Sequence, residues 1–156
     1  MEKAMCYKEL IQQAKALFSE DDDLIARMAN LSSLLYMQLE NINWAGFYRN
    51  VNDQLVVGPF QGKPACSPIA FGKGVCGVCA ATRKIQCVYD VHTFTGHIAC
   101  DVDSKSEIVI PLIKEDTLLG VLDIDAHVYG NFDEIDMHYL PELLDIILHH
   151  NTCESK

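Results

Sequence analysis

The 156-residue chain has no run of basic residues, no internal repeat, no low-complexity tract and no apolar stretch long enough to span a bilayer. Lys and Arg number 12 against 22 Asp and Glu, for a net charge of -10. Without a cationic surface to pair with phosphates, nucleic acid and anionic membranes are excluded as partners. A spanning helix needs about 20 consecutive apolar residues. The first residues, Met1-Glu2-Lys3-Ala4-Met5-Cys6, lack the apolar core of a signal peptide. Cysteines number seven, an odd count that does not fit a disulfide framework. These absences predict a cytoplasmic protein whose thiols stay reduced and serve either packing or catalysis.

What is present is enough for a core. Apolar residues make up 49% of the chain, and its length suits a single domain over 1–156 that needs neither metal nor disulfide to fold. Leu10, Ile11, Ala14, Leu17 and Phe18 recur at helical spacing, predicting a helix from Tyr7 to Phe18. Ser19 and the acids behind it read as the N-cap of a second helix running to about Leu39, with Leu24, Met28, Leu31, Leu35 and Leu39 on one face. Ile42 to Tyr48 and Gln54 to Phe60 are strand-like around the turn cluster Asn50-Val51-Asn52-Asp53, a hairpin.

Val75 to Arg83 reads as a short buried helix and Ile85 to Asp90 as a brief strand. Val91 to Asp103 is a long irregular segment, of the kind that often carries function. Glu107 to Ile113 and Leu118 to Ile124 form a second hairpin around Lys114-Glu115-Asp116-Thr117. Asn131 with Glu134 resembles a capping box that opens a last helix, reaching about His149 through Pro141, with Leu140, Leu143, Leu144, Ile147 and Leu148 inward. Hairpins imply antiparallel pairing. The expected class is α+β, a central antiparallel sheet with helices packed on its faces.

The chemistry gathers around Gly96-His97-Ile98-Ala99-Cys100-Asp101 and the strand that follows it. Cys66, Cys76 and Cys100 lie in loops or at a helix start, whereas Cys79 and Cys87 sit inside regular structure and read as inert packing. Cys76-x-x-Cys79 lacks the second ligand pair of a structural zinc site and does not follow a strand in a βαβ unit, so no metal is expected. Strand alternation puts Asp123 and Asp125 on one face, opposite a partner strand that opens with Glu107. Burying such acids is costly without a compensating cation, which points to a pocket for an ammonium group. Trp44 and Tyr48, four residues apart on one strand, are core or the wall of a pocket. The glycines of Phe71-Gly72-Lys73-Gly74-Val75-Cys76-Gly77 expose backbone amides before a helix, a nest able to hold a carboxylate.

Asn43-Trp44-Ala45-Gly46-Phe47-Tyr48, Gly58 to Cys66, Phe71 to Gly77, Asp90-Val91-His92, Gly96 to Asp101, Ser106 to Val109 and Gly120 to Asp125 together resemble the signature of the free methionine-R-sulfoxide reductases, stand-alone GAF-domain enzymes. The resemblance covers most of the chain, and the first helices only in outline. It implies a GAF fold, reduction of free methionine (R)-sulfoxide, recycling by thioredoxin with no bound cofactor, and a homodimer. Position by position, it implies that Cys100 attacks the substrate, that Cys66 is the principal resolving cysteine and that Cys76 is a third redox cysteine. Glu107, Asp123 and Asp125 match substrate-binding acids, and Trp44 and Tyr48 the wall around the methyl end. The chain departs from the pattern at Cys79, where small residues are commoner, and at Cys87. A GAF module that binds a small ligand without chemistry is the competing reading; the three loop cysteines beside an acidic pocket favour the enzyme.

Overall fold

The order of elements follows from where apolar residues repeat and where the chain can turn. A computed structural model describes residues 2–18, 23–98 and 101–149. Helices α1 (Lys3–Leu17) and α2 (Leu24–Gln38) precede strands β1 (Ile42–Val51), β2 (Gln54–Gly62) and β3 (Ile69–Ala70). Helix α3 (Gly74–Thr82), strand β4 (Gln86–Val88) and a 3-10 turn at Val91–Thr93 lead to β5 (Ser106–Lys114), β6 (Thr117–Ala126) and helix α4 (Glu134–His149). The six strands form one antiparallel sheet in the order β3-β2-β1-β6-β5-β4. This is the expected α+β arrangement, with helices on both faces.

Both long hairpins close on two residues in the left-handed region, Asn52 and Asp53 in one and Glu115 and Asp116 in the other. Paired positive φ values match the twist of the flanking strands, so β1 continues three residues past the expected Tyr48 before turning. β6 likewise runs on to Ala126, carrying Asp123 and Asp125 inside the strand instead of at its end. β3 is a two-residue edge strand, too short for periodicity to announce.

Period-2 alternation divides the sheet into two cores. One face, with Ala45, Phe47, Ile108, Ile110, Leu122 and Ile124, packs under α1, α2 and α4. The other, with Trp44, Tyr48, Val109 and Val121, packs under α3 through Val75, Cys76, Cys79 and Ala80. Each fully buried Leu or Ile contributes about 1.5–3 kcal/mol. The larger core therefore anchors the sheet and leaves the smaller one free to hold polar groups.

Several boundaries differ from expectation. Leu17 is exposed while Tyr7 takes the buried place in α1, because the stripe follows positions 7, 10, 11, 14 and 18. The cap expected at Ser19 lies outside the described residues; within them, Asp23 caps α2 by accepting from Ala26 N–H at 2.8 Å. The α4 cap is Asp133, whose carboxylate accepts from Ile135 N–H at 2.9 Å while its own N–H donates to Asp136 at 2.8 Å. That reciprocal pair is a capping box two residues beyond the expected Asn131. Asn131 instead donates to the Glu40 carbonyl at 3.1 Å, tying the loop to the end of α2.

Candidate active site

The site is built on the smaller core, where three neighbouring strands contribute one face. Across β1, β6 and β5, Trp44 pairs with Asp125 and Asp125 pairs with Glu107. One step along, Gly46 pairs with Asp123 and Asp123 with Val109. The register therefore gathers Glu107, Asp123 and Asp125 under the N-terminal turn of α3. Glu107 is 8% exposed and Asp123 5%. Asp125 is only partly covered, but its Oδ1 is closed to solvent, so both strand acids present oxygens inside the fold.

Burial raises all three carboxyls well above the ordinary carboxylate range, and their mutual repulsion adds to it. Asp123 Oδ1 and Asp125 Oδ1 are buried without a hydrogen-bond partner. Each such orphan costs about 1–3 kcal/mol. Two of them facing one cavity describe a place prepared for a donor. The cavity, about 50 Å³, is lined by these acids together with Trp44, Tyr48 and Cys76.

Cys76 closes the cup from the α3 side, its Sγ 3.9 Å from Glu107 Oε2. Burial, followed by the fields of Asp123 and Glu107, pushes its thiol far above the usual range. Lys73, Gly74 and Val75 also line the cavity, at the start of α3. Gly74 holds a φ of +64, which turns the chain into the helix. The start of α3 thus borders the same cavity as the acids, but two amides of the expected nest are already taken, Gly72 N–H by the Gly77 carbonyl at 2.8 Å and Lys73 N–H by the Ala70 carbonyl at 3.1 Å.

The aromatic wall is fixed from behind. The Trp44 ring stacks on Phe60 with centroids 5.1 Å apart, and its Nε1–H donates to the Lys63 carbonyl at 2.9 Å. Tyr48 stacks on Trp44 at 5.9 Å, and its hydroxyl donates to the Cys66 carbonyl at 3.0 Å. Both rings are core and wall at once. Cys66 itself is disulfide-bonded, while Cys6, Cys76, Cys79 and Cys87 carry free thiols. Cys100 lies outside the described residues.

Cys79 is fully buried, and burial with the field of Asp123 pushes its pKa up to about 12. Cys87 departs from the expected buried packing: it is exposed, because β4 is an edge strand. It pairs with Ile108, which belongs to the opposite core, so its side chain points away from the acids.

A second polar cluster borders the cavity and is not evident from residue spacing. Asn43 Nδ2 donates to Asp101 Oδ2 at 3.1 Å and to Ser104 Oγ at 3.0 Å. Asp101 Oδ1 accepts from Asp103 N–H at 2.9 Å, and Lys63 Nζ stands 3.6 Å away. Partial burial works to raise the Asp101 pKa, but the Asp103 N–H, Asn43 and Lys63 outweigh it and hold the carboxylate low. Asp101 thus differs from the cup acids: it is ionised and satisfied, and it ties the end of the loop to β1. His97 also lines the cavity, its pKa lowered by burial and by nearby His92.

The fold and this acid-lined cleft define the class: residues 27–147 match the model of the GAF domain. The free methionine-R-sulfoxide reductase of Escherichia coli is 48% identical over 144 residues, covering 92% of this chain and 87% of that one. Among solved structures, the fRMsr of Staphylococcus aureus in complex with substrate superposes with a TM-score of 0.88 at 47% identity, covering 93% of this chain and 95% of its own. The free methionine-R-sulfoxide reductase from Neisseria meningitidis in complex with its substrate gives 0.92 at 38% identity, covering 97% and 92%. The chain therefore belongs to the free methionine-R-sulfoxide reductases, GAF-domain enzymes.

Proposed function

We propose that this chain reduces free L-methionine (R)-S-oxide to L-methionine, with Cys100 as nucleophile and thioredoxin as the external reductant. The observation that carries the reading is the buried cup of Glu107, Asp123 and Asp125, with two carboxylate oxygens lacking a donor. An α-ammonium supplies those donors and the compensating charge. The start of α3 takes the α-carboxylate, and Trp44 and Tyr48 bound the methyl end. A methionine inside a peptide has no ammonium and leaves the acids unpaired, which selects the free amino acid.

In the first step the Cys100 thiol reacts with the sulfoxide: a sulfur–oxygen bond forms on Cys100, the one on the substrate breaks, and methionine leaves. Cys100 is then a sulfenic acid. The Cys66 thiol condenses with it, releasing water and forming the Cys66–Cys100 disulfide. An external dithiol reduces that disulfide by exchange. The oxygen takes its proton from the cup, whose carboxyls are pushed toward the acid form by burial and mutual repulsion, and the proton lost by the Cys100 thiol returns there, so no net proton is consumed.

The family resemblance makes Cys66 the first resolver, and the surroundings of Cys76 agree with that order. Cys76 is held as a thiol by burial and by the adjoining acids, so its attack is slow, and it enters by later exchange. A homodimer in a reducing, cytoplasmic setting belongs to the same reading.

Thioredoxin-coupled turnover on the separate R and S epimers tests it. The R epimer is expected to be consumed and the S epimer left. Cys100→Ser is expected to be inactive, Cys66→Ser to stall after about one methionine per chain, the stoichiometry of an untrapped sulfenic acid, and Cys76→Ser to retain most turnover. Undiminished turnover by Cys100→Ser would remove the mechanism.

A further inference from the structure

We propose that the same cup is a binding site for a thiophilic divalent cation, Zn²⁺ in particular, ligated by Cys76 Sγ and by the carboxylates of Glu107 and Asp123. The three ligand atoms lie within 4.8 Å of one another, and all three residues are buried. Asp123 Oδ1 is a buried acceptor with no partner, and so is Asp125 Oδ1. Asp125, opposite Glu107 in register, stands beside the set as a further donor.

The donor chemistry carries the choice of ion. An ammonium uses the oxygens and gains little from a thiol. Sulfur beside two carboxylates is instead a mixed set that suits Zn²⁺, at about 2.3 Å to sulfur and about 2.0–2.2 Å to oxygen. Mg²⁺ and Ca²⁺ take oxygen alone. On binding, the Cys76 S–H bond breaks, its proton passes to solvent and a Zn–S bond forms, with no change in oxidation state. Because the ion occupies the acids that an amino-acid ammonium would use, metal and amino acid exclude one another. Zn²⁺ thus acts on this fold as an inhibitor and covers Cys76 against oxidation. The metal site stands on the cup's geometry and is read without turnover, so it survives or fails separately from the reductase reading.

Co²⁺ serves as the spectroscopic probe, titrated into the reduced chain without chelating thiols and then displaced by Zn²⁺. One equivalent is expected to give a sulfur-to-cobalt charge-transfer band that Zn²⁺ abolishes. Cys76→Ser is expected to lose the band, whereas Cys66→Ser and Cys87→Ser keep it. Asp123→Asn, which removes a ligand and leaves the sulfur, is expected to weaken binding by roughly tenfold or more, a loss that even an outer-shell change can cause. Absence of the band in the unsubstituted chain, its persistence in Cys76→Ser, or unchanged affinity in Asp123→Asn each overturns the proposal.

Discussion

Glu107 and Asp125 are register partners on adjacent strands, and burial raises the carboxyls of both. Two like acids held together in a closed site cost stability when nothing neutralises them. Glu107→Gln and Asp125→Asn are therefore expected to leave stability unchanged or raise it. Each is also expected to remove a charge-assisted bond to substrate of about 2 kcal/mol, or roughly 30-fold in kcat/KM. Thermal melts beside steady-state kinetics check both halves. Intact kinetics in folded variants would show that the acids do not hold substrate.

The pH dependence of stability has a defined sign. For Glu107, Asp123 and Asp125 the native pKa lies above the unfolded one. Between the two values the folded chain binds more protons, so stability falls as pH rises through that window. Asp101 and Asp133 act oppositely: their pKa values are lowered, so their contribution is complete above the ordinary aspartate value and is lost as pH falls through the native one. The melting temperature of the ligand-free protein is expected to fall as pH rises from the ordinary carboxylate range, and Asp123→Asn to flatten that fall. A melting temperature of the unsubstituted chain that climbs steadily to neutral pH would contradict the raised values.

The thiols are expected to separate by access. Cys87 is exposed, Cys6 half-buried, and Cys76 and Cys79 buried. Among these four, a short pulse of iodoacetamide on the folded protein should label Cys87 first and leave Cys76 and Cys79 until the chain unfolds, as read by peptide mass spectrometry. Rapid labelling of Cys76 would mean that the acid cup does not hold it as a buried thiol.

Much of this is legible in the chain because it depends on local spacing. Asp123 and Asp125 share a face through strand alternation alone, and the turn residues Asn52-Asp53 and Glu115-Asp116 mark both hairpins. The Cys87 environment is not legible, since an edge strand and a central one look alike over three residues. The α4 cap is ambiguous for a similar reason: Asn131 with Glu134 and Asp133 with Asp136 fit the same spacing, and only the observed bonds choose. The link from Asn43 to Asp101 joins residues 58 positions apart, beyond any local pattern.

Gly62 holds a φ of +131, and an added Cβ would stand 2.6 Å from Trp44 Cδ1 and 2.9 Å from the Asn43 carbonyl. The close approach of backbone to ring is what seats the aromatic wall. Gly62→Ala is expected to cost about 1–3 kcal/mol of stability and to raise KM as Trp44 is displaced. Urea melts and saturation kinetics measure the two. Neutral behaviour in both would mean that the Trp44 ring is not seated by this contact.

The central claim is that buried acids read a free α-ammonium. The most direct measurement compares kcat/KM for L-methionine (R)-sulfoxide with that for its N-acetyl derivative, which keeps the reacting sulfoxide and carries no ammonium. The account predicts turnover of the free amino acid and a loss of roughly 100-fold or more for the acetylated one, as expected when buried polar groups lose their partner. Equal turnover of both would contradict it.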